Sequence, residues 1–173
     1  MMFQNPEVAL EDLPGSDDVQ WQALDSSYKR LRQLQNLIGI LAMLVPLITF
    51  TVATDVPLLP ATLFWACWTV ISVLLLAWPG ISLPKRGYVV RDKDVLFRKG
   101  VVWQSVTAVP FNRIQHVETS STPFDRQFDL ATLQLFTAGG SSGDLKIDGL
   151  GKDIAEQLRV FVLGKVGASI ENA

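Results

Sequence analysis

The stretch from Leu34 to Trp78 constrains this chain more than any other. It reads LQNLIGILAMLVPLITFTVA, then TDVP, then LLPATLFWACWTVISVLLLAW, and Asp55 is its single charged residue. A helix needs about 20 mostly apolar residues to cross a bilayer core of about 30 Å. Leu34–Ala53 and Leu58–Trp78 each reach that length, with Thr54–Pro57 as a short polar connection. In hydrocarbon every backbone N–H and C=O needs an internal partner, so such segments fold as helices. A helix in a soluble core keeps a polar stripe where one face meets water. Neither Leu37–Ala53 nor Leu58–Trp78 carries a charge on any face. The pattern predicts a two-helix transmembrane hairpin over residues 29–83, with spans at about 34–53 and 58–78. Pro60 falls in the first turn of the second span, where its missing N–H costs little, and Pro79-Gly80 is expected to end that helix.

Flanking charge orients the hairpin. Lys29, Arg30 and Arg32 precede it, Lys85, Arg86, Arg91 and Lys93 follow it, and the connecting loop has no Lys or Arg. The positive-inside rule places both termini in the cytoplasm and Asp55 outside. Juxtamembrane basic residues gain roughly 1 kcal/mol each from an anionic leaflet, so Lys85, Arg86, Arg91 and Lys93, with Arg98 and Lys99 close behind them in the sequence, read as an electrostatic seat on lipid. Asp92 and Asp94 flank Lys93 and argue against a stereospecific headgroup pocket there. Ahead of the hairpin, residues 1–28 hold six Asp/Glu and no Lys or Arg. This arm lacks the basic start and apolar core of a secretory signal, and its composition predicts a flexible segment. Ser26 or Ser27 is expected to cap a short amphipathic lead-in, YKRLRQLQ.

Residues 84–173 switch to a different pattern. Gly87–Arg91, Val95–Arg98, VVWQSVTAV and RIQHVETSS are strands by β-branched content and by the turn residues between them. PFDRQFD is a turn or a single helical turn. LATLQLFTA and DLKIDGL alternate, pointing Leu133, Leu135, Leu145 and Ile147 to one face, with the Gly139–Gly143 run as the turn between them. After Lys152 the period becomes helical. Ile154, Leu158, Phe161 and Val162 fall on one face, with Gly164 and Gly167 as stop signals. The fold class is thus a membrane α-hairpin followed by an antiparallel β barrel of about six or seven strands and a C-terminal amphipathic helix. That helix is expected to cover an open edge of the barrel.

Residues 109–140, VPFNRIQHVETSSTPFDRQFDLATLQLFTAGG, carry a family likeness. Pro110, Arg113-Ile114-Gln115, Pro123, Arg126, the Phe128–Leu130–Ala131 turn into a strand, and Thr137-Ala138-Gly139 resemble the signature of the YdbS-like bacterial membrane proteins with a pleckstrin-homology-type (PH) domain. Asp129 stands where that family commonly has Gly. The resemblance covers roughly residues 30–165. It implies a PH-like barrel at a bacterial inner membrane, multi-pass, and without enzymatic activity.

Catalytic chemistry is not legible. One His and one Cys make no metal cluster, and the carboxylates lack ligand spacing. No phosphate-loop or nucleophile-elbow motif is present, and GGSSG lacks the lysine of a phosphate loop. His116, beside Glu118, reads as a hydrogen-bonded structural histidine. Cys67, alone in the second span, reads as filler. The expectation is no enzyme, no cofactor, no metal, no small-molecule substrate and, without a basic stripe, no nucleic acid. Arg113, Gln115 and Arg126 remain as candidate binding residues for a protein or a lipid headgroup, with Arg113 and Gln115 on one strand face. Against this stands a structural role, in which Arg113 and Arg126 pair with Asp125 or Asp129 to pin a turn. The expected function is a non-catalytic, membrane-anchored scaffold that binds another protein or itself, in envelope stress or defence. The alternatives are a lipid-binding or lipid-handling protein and, third, an accessory subunit of an enzyme.

Overall fold

The computed structural model describes residues 19–54, 57–137 and 145–171. Asp55, the Gly139–Gly143 turn and most of the acidic arm lie outside these residues. Two long apolar helices, α1 (Ser26–Ala53) and α2 (Leu58–Ser82), lead into β1 (Gly87–Val90), β2 (Asp94–Lys99), β3 (Ser105–Pro110), β4 (Ile114–Ser120), the short α3 (Pro123–Gln127), β5 (Leu130–Thr137), β6 (Leu145–Gly151) and α4 (Lys152–Glu171). Asp25, rather than Ser26 or Ser27, caps α1: its carboxylate accepts from the Ser27 N–H at 2.7 Å. The expected lead-in is continuous with the apolar helix.

Pro79-Gly80 does not end the second helix, which continues to Ser82 and a 3-10 turn at Leu83–Lys85. Proline at 79 removes the N–H that would bond the carbonyl four residues earlier. That orphan is Leu75 O, and Asn36 Nδ2 donates to it across the helix pair at 2.7 Å. The helix runs on because its neighbour supplies the missing donor.

The β region is two antiparallel three-stranded sheets, β1-β2-β3 and β4-β5-β6, rather than one closed barrel. Pro110 ends β3 without an N–H to continue the ladder, and Phe111–Arg113 makes a 3-10 turn whose Phe111 N–H donates to Lys93 O. The chain changes sheets at that corner. Both sheets share one core: Tyr88, Val95, Phe97 and Val109 from the first meet Ile114, Val117, Leu133, Leu135, Leu145 and Ile147 from the second. Asp129, in place of glycine, adopts φ 53°, a left-handed conformation that Asp tolerates, and its carbonyl accepts from Lys152 N at the start of α4.

Helix α4 packs into this core, but on a face rotated from the expected one. Ala155 and Val162 are fully buried, with Leu158 and Val166 beside them, whereas Ile154 and Phe161 are 43% and 41% exposed. Leu158 and Val162 of the expected stripe thus meet the core, and Ala155 joins them in place of Ile154 and Phe161 because α4 lies close against β4 and β5. Gly164 and Gly167 do not stop the helix. The Val166 contact lies between them and holds α4 onto the core.

The foot of α1 is part of the domain. Gln22 bridges Tyr88 as an extra strand on the β1 edge, and the Asp25 N–H donates to Gly149 O. Tyr28 and Leu31 are buried with Leu130, against Leu24, Leu83 and Phe128. Their seat is a bulge in β6, where Asp148 and Gly149 stand opposite Thr132. Gly149 has φ +76°, and a Cβ there would overlap the Tyr28 ring. Thr132, buried in the same place, donates to Asp148 at 3.3 Å.

Candidate interaction surfaces

The residues expected to bind a partner lie at the corner between the sheets and on the neighbouring turn. Arg113 is the last residue of the 3-10 turn, and a bulge follows between Ile114 and His116. The two-residue alternation of a strand therefore does not put Arg113 and Gln115 on one face. Both are exposed, as is Arg126 on α3. The proposed turn-pinning pairs are not formed: among the described residues Arg113 and Arg126 make no ion pair with Asp125 or Asp129. The turn is held instead by a capping box. Thr122 Oγ1 accepts from Asp125 N–H, and the Asp125 carboxylate accepts from Thr122 N–H at 2.8 Å. Ser121 Oγ adds a bond to Leu130 O. The arginine heads are free to meet a ligand. His116 packs against the Phe136 ring at 5.6 Å, and no hydrogen bond of its side chain is formed among the described residues.

The four basic residues expected to seat on lipid do not share a surface. Lys85 and Arg86 stand at the start of β1, next to the end of α2, while Arg91 and Lys93 occupy the β1–β2 turn at the opposite end of the strand. Four residues of strand separate these ends by about 13 Å. Strand pairing brings different residues to the α2 end. Gly87 pairs with Arg98, and Lys99 follows one step closer to the helices. Arg98 lies over the Trp21 ring, 4.6 Å from its centroid, and Lys29 of α1 reaches to within 4 Å of where a Gly80 side chain would begin. Cations from α1, the α2–β1 junction and β2 thus gather at one end. Of the six basic residues that follow the second apolar segment, the hairpin register returns Arg98 and Lys99 to this end and leaves Arg91 and Lys93 at the other.

Two clefts border the outer end and flank of the domain. One, of about 360 Å³, is lined by Asp92, Lys93, Phe111, Asn112 and Lys165, with Lys165 paired to Asp92 at 3.6 Å. The other, of about 530 Å³, runs between α4 and β1 past Tyr88, Val90, Ile154, Leu158 and Phe161. Its apolar lining is where the exposed side of α4 shows. Phe161 is held there edge-on to Phe111 at 6.0 Å. Burial pushes the Tyr88 hydroxyl above its ordinary pKa. On the outer side of α4, Glu156 accepts from Arg159, which holds its carboxyl below the usual range.

Among the described residues no three His, Cys, Asp or Glu side chains gather as a metal site. No curated protein and no solved structure matches this chain. The bacterial PH domain family, by contrast, matches residues 32–166, a range that takes in both apolar helices as well as the two sheets and most of α4. With most of its length covered by that match, the chain belongs to the bacterial PH domain family.

Proposed function

We propose that this protein is a non-catalytic interaction module of the YdbS-like kind, anchored in a bacterial inner membrane by α1 and α2 with its PH-like domain on the cytoplasmic side. PH domains are generally non-catalytic modules that bind lipids or proteins. The observation that carries the anchoring is the surface of the helices. Neither apolar stretch buries a residue against the rest of the chain, and Val52, Leu58 and Leu63 each stand more than 70% exposed. A soluble core helix would be covered. The hydroxyls of Thr49, Thr51, Thr62, Thr69 and Ser72 all donate to carbonyls of their own helices, as polar side chains must in hydrocarbon. The α4–β1 cleft and the unpaired Arg113 and Arg126 support a protein partner or a second copy as the ligand, with envelope stress or defence as its setting.

Reporters fused before Met1 and after Ala173 test the topology. Cytoplasmic signals from both, with the protein resisting alkaline extraction from membranes, are the expected result. An extractable protein, or a C-terminus on the far side, overturns the proposal. Purification in mild detergent then separates the two kinds of ligand. A stoichiometric, headgroup-selective lipid would favour the lipid-binding reading, for which the cations at the α2 end provide the ground.

A further inference from the structure

The hairpin between β2 and β3 ends in two large apolar side chains that none of the described residues covers: Val102 is 72% and Trp103 is 87% exposed. Strand register locates this tip. Gly87, where the chain enters β1 from α2, pairs with Arg98, and Arg98 pairs with Val106. Lys99 pairs with Ser105 one step further, so the tip projects from the sheet on the side where α2 ends. Three residues at about 3.3 Å each carry it up to about 10 Å past the Gly87 row, level with Lys85 and Arg86. Strands β1 and β3 are two spacings apart, so the tip lies within about 10 Å, sideways, of that junction.

The tip is also shaped. Gly100 has φ +113°, and a Cβ there would overlap the Trp103 carbonyl oxygen. The turn closes this tightly only with glycine, and it fixes the backbone beneath the indole. Val106, 56% exposed, extends the apolar surface on β3, while Lys99 and Lys85 flank it with exposed positive charge. Trp is enriched at membrane–water interfaces, where the ring meets acyl chains and its N–H meets headgroups. Basic residues beside it gain from anionic lipid.

We infer that Val102 and Trp103 form a membrane wedge, which inserts into the headgroup layer of the leaflet that α1 and α2 leave. This rests on the anchored reading above. The wedge would be a third attachment point, across the first sheet from the helix pair, and it would fix the tilt of the domain on the bilayer. Which surfaces face lipid and which face the cytoplasm would follow from it: the wedge and Lys99 face the membrane, the β1–β2 turn faces away.

The test uses the full chain with Cys67→Ala, reconstituted in vesicles of phosphatidylethanolamine and phosphatidylglycerol. An environment-sensitive fluorophore is attached, one site at a time, through Gln104→Cys beside the wedge, Arg91→Cys in the β1–β2 turn, or Leu74→Cys in α2. The Gln104 label should emit to the blue of the Arg91 label. Nitroxides placed high on the lipid chains should quench it, and aqueous iodide should not. Val102→Ser with Trp103→Ser should abolish that quenching; both side chains are exposed, so the fold survives the change. If the Gln104 label is as open to iodide as the Arg91 label while deep lipid nitroxides quench the Leu74 label, the wedge is wrong and the anchor stands. A Gln104 label shielded from iodide yet not quenched by lipid means that protein covers the tip, which also overturns the wedge. An unquenched Leu74 label removes the anchor and the wedge together.

Discussion

Gly149→Ala tests whether the foot of α1 is locked to the domain by close approach. Two costs add. An L residue held near φ +76° is disfavoured by roughly 1–2 kcal/mol. The new methyl also falls on the ring of Tyr28, which is 6% exposed. Overpacking of this kind typically costs about 1–3 kcal/mol. The sum, about 2–5 kcal/mol, is a large share of the roughly 5–15 kcal/mol that holds a domain together. The assay is urea unfolding of the full chain in detergent micelles, read by hydrogen exchange of the β5 and β6 amides. Tyr28→Leu keeps an apolar side chain but removes the ring. In that background Gly149→Ala should retain only the backbone cost of about 1–2 kcal/mol. A total below about 1 kcal/mol, or an equal cost with and without the ring, refutes the steric lock.

Adjacent positions on α4 should separate sharply. Ala155→Asp buries an unpaired carboxylate and should unfold the domain, whereas Ile154→Asp should cost less than about 1 kcal/mol because that side chain already meets solvent; equal effects, measured by the same exchange assay, would put α4 on the wrong face. Asn36→Leu should weaken the helix pair by about 1 kcal/mol in a detergent unfolding assay. In a Pro79→Ala background, where the restored backbone N–H supplies the donor to Leu75 O, the same change should cost little, and an undiminished cost would disprove the rescue of the proline-freed carbonyl. Tyr88 should ionise above pH 10, its burial raising the pKa from the ordinary 10.0. The stability tied to its neutral form is then complete below pH 10 and fades as pH rises through the native pKa. Phenolate absorbance in a Tyr28→Phe chain, native against urea-unfolded, measures this; coincident midpoints would contradict it.

Much of this protein is decided locally, and that part is legible in the residues. Two uninterrupted apolar segments of about 20 residues each predict long helices, and α1 and α2 are found there. The alternation in LATLQLF and LKIDGL places Leu133, Leu135, Leu145 and Ile147 inside, because a strand offers only two faces. The bacterial PH character shows in Pro110, Pro123 and the Phe128–Ala131 turn, and Asp129 takes the left-handed conformation that its place in that turn requires. Other features depend on what arrives from elsewhere in the chain. Whether Pro79 stops a helix depends on Asn36, which is remote in sequence, offering a donor to Leu75. How the buried stripe of α4 is rotated depends on how near the sheets come, and close approach put Ala155 in the core beside the expected Leu158 and Val162, leaving Ile154 and Phe161 half-exposed. The two sheets separate where Pro110 and the Phe111–Arg113 turn break the ladder, and a bulge then undoes the simple facing of Arg113 and Gln115. Charge followed the same logic. Lys85, Arg86, Arg91, Lys93, Arg98 and Lys99 are neighbours along the chain, but a strand carries Arg91 and Lys93 to the far end while the hairpin returns Arg98 and Lys99, with Trp103 just beyond them. Contacts between residues distant in sequence are set by register and packing, and those exist only once the whole chain has folded.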